Sequence, residues 1–150
     1  MLRMIRLFVL LFITGIIISG CTQETIEEYP NLRTAMAPGA AGDRGWIPKF
    51  VPPSSTNLKI AYRVETNETW LIFKADSKDL MRILRDCPTP KNQYPRLPRE
   101  NPASWWPELL TSASFKKNEE WIPFVCEPQG AGVIDMATNQ AYYWDLGSNK

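Results

Sequence analysis

The chain has 150 residues and carries 17 basic and 16 acidic side chains, so its formal net charge is only +1. This balance gives no general electrostatic reason to bind DNA, RNA or anionic lipid, and the sequence contains no basic cluster; we therefore expect no nucleic-acid partner. Histidine is absent, which excludes Ser-His-Asp and Cys-His nucleophile systems and the commonest zinc-ligand sets, and the sequence predicts no cofactor or metal.

Residues 1–20 have the organisation of a secretory signal peptide. Arg3 and Arg6 supply the positive charge, and residues 7–18 form a mostly apolar run. That run is shorter than the roughly 18–20 residues of a membrane-spanning helix, but its length fits the apolar region of an export signal. An ordinary signal peptide followed by a coincidental cysteine, or an uncleaved anchor, remains the alternative.

The segment 18–21, Ile-Ser-Gly-Cys, resembles the lipobox of bacterial lipoproteins. The resemblance implies that Cys21 becomes the first residue of the mature protein and carries acyl chains, palmitate among them, which anchor the chain to a membrane. Thr22, where an aspartate would retain such proteins at the inner membrane, favours the inner leaflet of the outer membrane. We expect a protein of the bacterial cell envelope that faces the periplasm.

The mature chain is long enough for one domain with one core. Residues 21–45 contain several prolines and glycines and few large apolar groups, which predicts a flexible tether that would let the domain stand about 25 Å from the bilayer. A single globular domain is expected over 46–150. It begins with residues 46–53, whose prolines exclude a central strand and predict an irregular segment docked on the core.

Two strands and a helix follow. Apolar and polar residues alternate over 58–66, which predicts a half-buried strand, and 69–75 is its expected hairpin partner. Asp76 is placed to cap a helix over 77–86, in which Asp79 favours the N-terminal turn.

The rest of the chain predicts a long loop, a short helix and three strands. Five prolines over 88–103 predict a surface loop, and Ser104 is placed to cap a short helix over 104–110. The strands are expected at 121–126, 132–136 and 141–145, the last two joined by a hairpin turn at 137–140. This order predicts the α+β class: a small antiparallel sheet of about five strands, one main helix packed on one face, and a long proline-rich loop.

Cys87 and Cys126 are the two cysteines besides Cys21. In an oxidising compartment such a pair predicts a disulfide, here one that fastens the helix end to a strand. Two unpaired buried thiols are the alternative, and a redox pair is disfavoured because no Cys-x-x-Cys spacing exists.

Trp105 and Trp106 lie between the proline-rich loop and Pro107. Because adjacent side chains do not easily face one core, an aromatic exposed here could contact a partner, and both residues are candidates for binding one, such as another envelope protein. The alternative is that the loop packs them onto the sheet.

Three short motifs lie close together in the chain: Gly45-Trp46-Ile47-Pro48, then Val51-Pro52-Pro53-Ser54-Ser55, then Glu65-Thr66-Asn67 followed by Trp70 and Phe73. Together they resemble the YbbD-head-like family of small bacterial envelope proteins. Val51, Ser55 and Glu65 stand where the family usually has Leu, Ala and Asp. The resemblance covers 44–145, with its specific motifs within 45–73. It implies a fold and an envelope location and carries no activity.

The residues predict no catalytic site. The leading hypothesis is a non-catalytic accessory lipoprotein that binds another envelope protein through the proline-rich loop and Trp105/Trp106. The alternative is a small-ligand or glycan-binding module, or an inhibitor of a cell-wall hydrolase. An exposed tryptophan patch on a convex surface would favour the first hypothesis, whereas a concave aromatic groove with converging polar groups would favour the second.

Overall fold

The computed structural model describes residues 23–89, 94–112, 114, 120–128 and 130–147. The predicted signal peptide and the lipidation site at Cys21 therefore lie outside the described residues. None of the helices within these ranges combines the length and hydrophobicity that crossing a bilayer requires.

The described residues form one antiparallel sheet with short helical segments. The strands are β1 Glu24–Asn31, β2 Thr56–Arg63, β3 Glu68–Lys74, β4 Trp121–Cys126, β5 Gly130–Asp135 and β6 Gln140–Asp145. The helices are α1 Leu32–Ala35, α2 Ser77–Asp86 and the 3-10 turn η1 Glu108–Leu110. The six strands lie in the order β1-β2-β3-β6-β5-β4, so the predicted α+β class is confirmed, with six strands instead of about five.

The additional strand is β1, which lies in the stretch 21–45 that we expected to be a flexible tether. It pairs with β2 in antiparallel register from Glu24 opposite Arg63 to Asn31 opposite Thr56. Thr25, Glu27, Tyr29 and Asn31 point toward the domain, whereas Ile26 is 49% exposed. Most residues on the inward face of this edge strand are polar. The strand therefore has only a weak hydrophobic periodicity, which is why the sequence did not predict it.

The first core lies on the face of the sheet that α2 covers. Leu80 and Ile83 of α2 are buried there, together with inward residues of β2, β3 and β6 such as Leu71 and Tyr143. The irregular segment 46–53 packs on the same core, as its prolines predicted, and places Phe50 edge-on against Tyr143, with ring centroids 5.3 Å apart.

The second core lies on the opposite face, under the proline-rich loop. Trp70 and Ile72 of β3 and Trp144 of β6 meet Trp106 and Leu110 of the loop region. The Trp144 Nε1–H donates to the backbone oxygen of Arg96 at 2.6 Å. The central strands β3 and β6 are therefore buried on both faces, which explains their nearly continuous apolar sequences.

Helix α2 has the predicted bounds, but its N-terminus differs in detail. Asp76 occupies the N-cap position without a side-chain capping bond. Asp79 accepts a hydrogen bond from Ser54 Oγ at 2.6 Å and pairs with Arg82 at 2.9 Å. The first turn of α2 is thus fastened to the segment before β2.

The predicted helix over 104–110 shortens to the η1 turn, with Pro107 and not Ser104 at its N-cap. Proline lacks the N–H of a helix interior and disfavours helical backbone at the preceding residue, so the turn begins after it. The hairpin turn at 137–140 is confirmed, and Asn139 adopts the positive φ of 53° that such a turn favours.

Candidate functional site

One end of the sheet carries a groove that runs beside the proline-rich loop. Because neighbouring strands are antiparallel, β1, β3 and β5 begin at this end and β2, β4 and β6 end there. Residues 94–100 of the loop form the opposite wall. We call this feature the end groove; it consists of two adjoining cavities that share Arg96 and Leu146.

The larger cavity, which we call the apolar pocket, has a volume of about 390 Å³. Its walls are mainly apolar groups from the loop, β4, β5 and β6, namely Pro95, Val125, Pro128, Ala131, Trp144 and Leu146. Glu127 and Asp145 bring two carboxylates to its rim. This volume and lining fall within the range of small-molecule sites, which begins at about 300 Å³.

The smaller cavity, which we call the arginine pocket, has a volume of about 220 Å³. Its lining is predominantly polar and charged: Arg63, Glu68, Trp70, Arg96, Arg99, Glu100 and Leu146. Three guanidinium groups from two separate parts of the chain therefore converge on one small space.

Two of the arginines are not neutralised locally. Arg63 Nε donates to Glu24 Oε1 at 2.9 Å, and its Nη1 pairs with Glu68 Oε2 at 3.2 Å, so its charge is satisfied. Arg96 and Arg99 form no ion pair with any carboxylate among the described residues. Glu100, which also lines the pocket, lies 3.6 Å from Arg63 Nη2. Arg96 and Arg99 are therefore the two cations of the pocket without a carboxylate partner among the described residues.

A buried tryptophan, Trp70, lines this pocket. Trp70 is only 2% exposed, and its Nε1–H has no hydrogen-bond partner within the described part of the chain. The guanidinium carbon of Arg63 lies 5.2 Å from the centroid of the Trp70 ring, which is cation–π distance. The Trp70 ring thus supports the Arg63 guanidinium at the pocket wall.

The carboxyl of Asp145 lies at the boundary of the sheet and the apolar pocket. Burial raises its pKa, and the hydrogen bond that its Oδ1 accepts from the Gly147 amide at 3.0 Å acts in the opposite direction. Asp145 therefore reaches its neutral form at a higher pH than an exposed aspartate does.

A second polar cluster surrounds Glu27 and has a structural role. Tyr62 donates to Glu27 Oε1 at 2.7 Å, and Tyr29 and Arg44 also contact this carboxylate. Tyr29 in turn accepts from the Ala41 amide at 2.9 Å. Because these bonds join β1 and β2 to the segment that follows α1, the cluster fastens that segment to the sheet.

The two candidate partner-binding tryptophans do not form an exposed patch. Trp106 is 2% exposed in the second core, and Trp105 is half-buried against the same core, with its ring centroid 6.2 Å from that of Trp106. Of the two alternatives for this pair, the structure therefore has the loop packing the rings onto the sheet, with Trp105 keeping part of its surface in solvent. Trp106 also contacts Trp144 edge-on at 6.2 Å.

The cysteine pair lies where the sequence places it. Cys87 ends α2 and Cys126 ends β4, and the two are joined in disulfide geometry, with their Cα atoms 4.6 Å apart. The Val125 amide also donates to Cys87 O at 3.3 Å. The helix end is therefore attached to the edge strand by a covalent bond and a backbone bond. Within the described residues, no three acidic or cysteine side chains cluster as a metal site would require.

The end groove was not predicted from the sequence. Arg63 and Arg96 are far apart in the chain, and no local pattern shows that a sheet end brings them together. The sequence has no basic cluster, whereas the fold brings three arginines together in one pocket, beside Glu68 and Glu100. The sequence signal for it was the Arg-Leu-Pro-Arg segment at 96–99, which places two arginines three residues apart in the loop, next to Glu100.

Comparison with known proteins identifies one family. The family model described as the YbbD head domain matches residues 23–74. The match confirms the resemblance found in the segment 45–73, and it extends upstream to include β1, while residues 75–147 lie outside it. No curated protein and no solved structure matches the chain.

Proposed function

We propose that this chain, whose residues 23–74 match the YbbD head domain, is a lipid-anchored protein of the bacterial cell envelope that binds a small anionic ligand in the end groove. The protein performs no catalysis on that ligand. Its address follows from the signal peptide at 1–20 and the lipobox cysteine, Cys21, with Thr22 favouring the periplasmic leaflet of the outer membrane.

The end groove is the main structural support for a binding role. A concave site with aromatic walls and converging polar groups is what distinguishes a ligand-binding module from a surface that docks another protein. Trp70 and Trp144 line the groove, and Arg96 and Arg99 converge on it. The burial of Trp106 leaves only Trp105 of the pair partly exposed at the loop, which favours the end groove as the binding surface.

The available cations define the ligand's charge. Guanidinium groups stay protonated at any physiological pH and present fixed donors that match the oxygens of a carboxylate or phosphate. Arg96 and Arg99 supply guanidinium donors without an acceptor in the described residues. Permanently charged donors suit holding an anion more than exchanging protons with it, which is why we assign binding and not catalysis.

The test uses two pairs of soluble probes, each an anion and the neutral molecule that lacks its acidic substituent. N-acetylmuramic acid is compared with N-acetylglucosamine, and glycerol 3-phosphate with glycerol, by calorimetry on the full-length protein in a nonionic detergent. We expect at least one anion to bind and its neutral counterpart to bind much more weakly. The variant R96Q/R99Q should weaken binding of that anion by about tenfold or more, since two charge-assisted donors are lost.

The matched control is K74Q/K78Q, which removes two positive charges at the opposite end of the sheet. Lys74 ends β3 and Lys78 lies in the first turn of α2, and both are exposed. This control should bind like the wild type. Anions that bind no better than their neutral counterparts, or equal losses in both variants, would show that the end groove is not an anion site.

A further inference from the structure

The first strand after the predicted anchor, β1, begins at the end of the sheet that carries the groove. Glu24 begins β1 and lies opposite Arg63, the residue that forms part of the arginine pocket. Only Thr22 and Gln23 separate Cys21 from this strand. A fully extended chain advances about 3.5 Å per residue, so three steps span roughly 10 Å at most.

The connection between Cys21 and the sheet is therefore much shorter than the tether over 21–45 that we expected from the sequence. With β1 in the sheet, the acylated cysteine cannot hold the domain about 25 Å away from the bilayer, as a flexible stretch of some 20 residues would. The sheet end that carries Glu24 must instead lie close to the lipid headgroups. The opposite end, where the 137–140 turn lies, points away from them.

The groups at this end suit such a position. The turn between β2 and β3 presents Val64, which is 65% exposed, and the loop presents Arg96 and Arg99. Exposed cations attract anionic headgroups only within about a Debye length, roughly 8–10 Å. The near-zero net charge of the chain therefore does not decide the matter, because only the charges at this end count. There Arg63 is compensated by Glu24, Glu68 and Glu100, whereas Arg96 and Arg99 have no carboxylate partner among the described residues.

We infer that the end groove faces the bilayer and that Arg96 and Arg99 hold the phosphate of an anionic phospholipid in the membrane to which the chain is anchored. This inference rests on the proposed lipid anchor and on the anion site of the proposed function, and it identifies the source of the anion. The adjoining apolar pocket accommodates the uncharged part of the lipid near its headgroup.

The experiment is hydrogen–deuterium exchange on the full lipoprotein in nanodiscs, after its intact mass has shown the acyl chains on Cys21. Discs of phosphatidylcholine alone are compared with discs that also contain phosphatidylglycerol. We expect the anionic lipid to slow exchange at least threefold in 64–67 and 94–100. The 137–140 turn at the opposite end should exchange equally in both discs.

Two variants separate a specific headgroup contact from general attraction. R96Q/R99Q should abolish the slowing by phosphatidylglycerol, whereas K74Q/K78Q, with the same loss of charge, should retain it. Addition of glycerol 3-phosphate to the phosphatidylcholine discs tests a soluble source of phosphate; we expect much less slowing than phosphatidylglycerol gives. Equal exchange in both discs, slowing at the 137–140 turn, or full slowing by the soluble phosphate would overturn the inference.

The two proposals fail in different ways. If soluble anions bind in a manner that requires Arg96 and Arg99, but the discs give equal exchange, the binding role stands and the membrane assignment is wrong. An intact mass without acyl chains would instead remove the anchor on which both the address and the orientation depend.

Discussion

Arg63 lies in β2 directly between two carboxylates, Glu24 on β1 and Glu68 on β3, each of which is its register partner across the sheet. Its guanidinium hydrogen-bonds both, and its side chain is 18% exposed. Although burial acts to lower the pKa of Arg63, the hydrogen bonds to Glu24 and Glu68 raise it above the usual value. One cation therefore joins three strands at the end of the sheet next to the groove.

We predict that Arg63→Met lowers the free energy of unfolding by about 1–3 kcal/mol, because two partly buried carboxylates lose their shared cation and repel each other. Lys59→Met on the same strand is the control, since its pair with Glu28 is 3.1 Å long and exposed, and such pairs contribute about 0–1 kcal/mol. Denaturant unfolding of the purified full-length protein measures both. Equal effects of the two substitutions would contradict a special role for Arg63.

The tryptophan pair in the loop gives a second prediction, on stability. Trp106→Ala should cost about 3–5 kcal/mol, because the ring fills the second core against Trp144 and Leu110. Trp105→Ala should cost clearly less, since Trp105 keeps part of its surface in solvent. Denaturant unfolding of the two single variants checks the order, and similar costs for both would show that the loop is not packed as described.

This prediction also affects how any partner search is designed. Replacement of both tryptophans would loosen the loop from the sheet, so a lost interaction would not locate a binding surface. The charge variant R96Q/R99Q avoids this problem, since the hydrogen bond from Trp144 to residue 96 uses the backbone oxygen and not the guanidinium.

The parts of the fold that the sequence predicted are those whose signal is local. The bounds of α2 and β4 agree with the prediction, because a helical apolar stripe and a stop at Cys87-Pro88 are readable without neighbours. Pro123 within β4 is tolerated because that strand lies at the sheet edge. Likewise, two of the three described asparagines with positive φ, Asn67 and Asn139, lie in the predicted hairpin turns.

The parts that escaped prediction depend on contacts distant in sequence. Strand β1 has a polar inward face, and Glu27 is acceptable there only because Tyr62 donates to it from the neighbouring strand. The proline-rich loop looked like a surface connection, yet it covers the second face of the sheet through Trp106. The end groove likewise needs Arg63 and Arg96 to meet, which topology alone decides.

The cysteine pair provides a third prediction. The bond between Cys87 and Cys126 closes a loop with a sequence separation of 39, which on the chain-entropy treatment contributes about 4 kcal/mol, and often less in practice. Reduction of the full-length protein should therefore lower Tm by roughly 10–20 °C. Differential scanning fluorimetry with and without a reductant measures this shift.

The matched variant is Cys87→Ser/Cys126→Ser, which should have the lowered Tm and no further response to reductant. An unchanged Tm on reduction of a sample shown to be free of thiols beforehand would remove the disulfide from the structure's stabilising bonds. The bond from the Val125 amide to Cys87 O does not involve sulfur, so we expect α2 to stay docked in the variant.

The carboxylate of Glu27 makes stability depend on acid. Burial by itself raises its pKa, but hydrogen bonds from Tyr29, Tyr62 and Arg44 outweigh that effect and hold the pKa below the usual value. A carboxyl whose pKa is lower in the folded protein stabilises it above the unfolded pKa, and this contribution is lost as the pH falls through the folded pKa.

We therefore predict that Glu27→Gln lowers the free energy of unfolding by about 1–3 kcal/mol at pH 7, the range for hydrogen bonds to a charged group. The difference from the wild type should shrink as the pH falls from about 5 toward 3, because the wild-type carboxyl becomes protonated and loses the same interactions. Glu28→Gln is the control, since Glu28 lies next in the strand with an exposed side chain. A wild-type advantage that stays constant down to pH 3 would mean that the charge of Glu27 contributes nothing to holding the segment after α1 against the sheet.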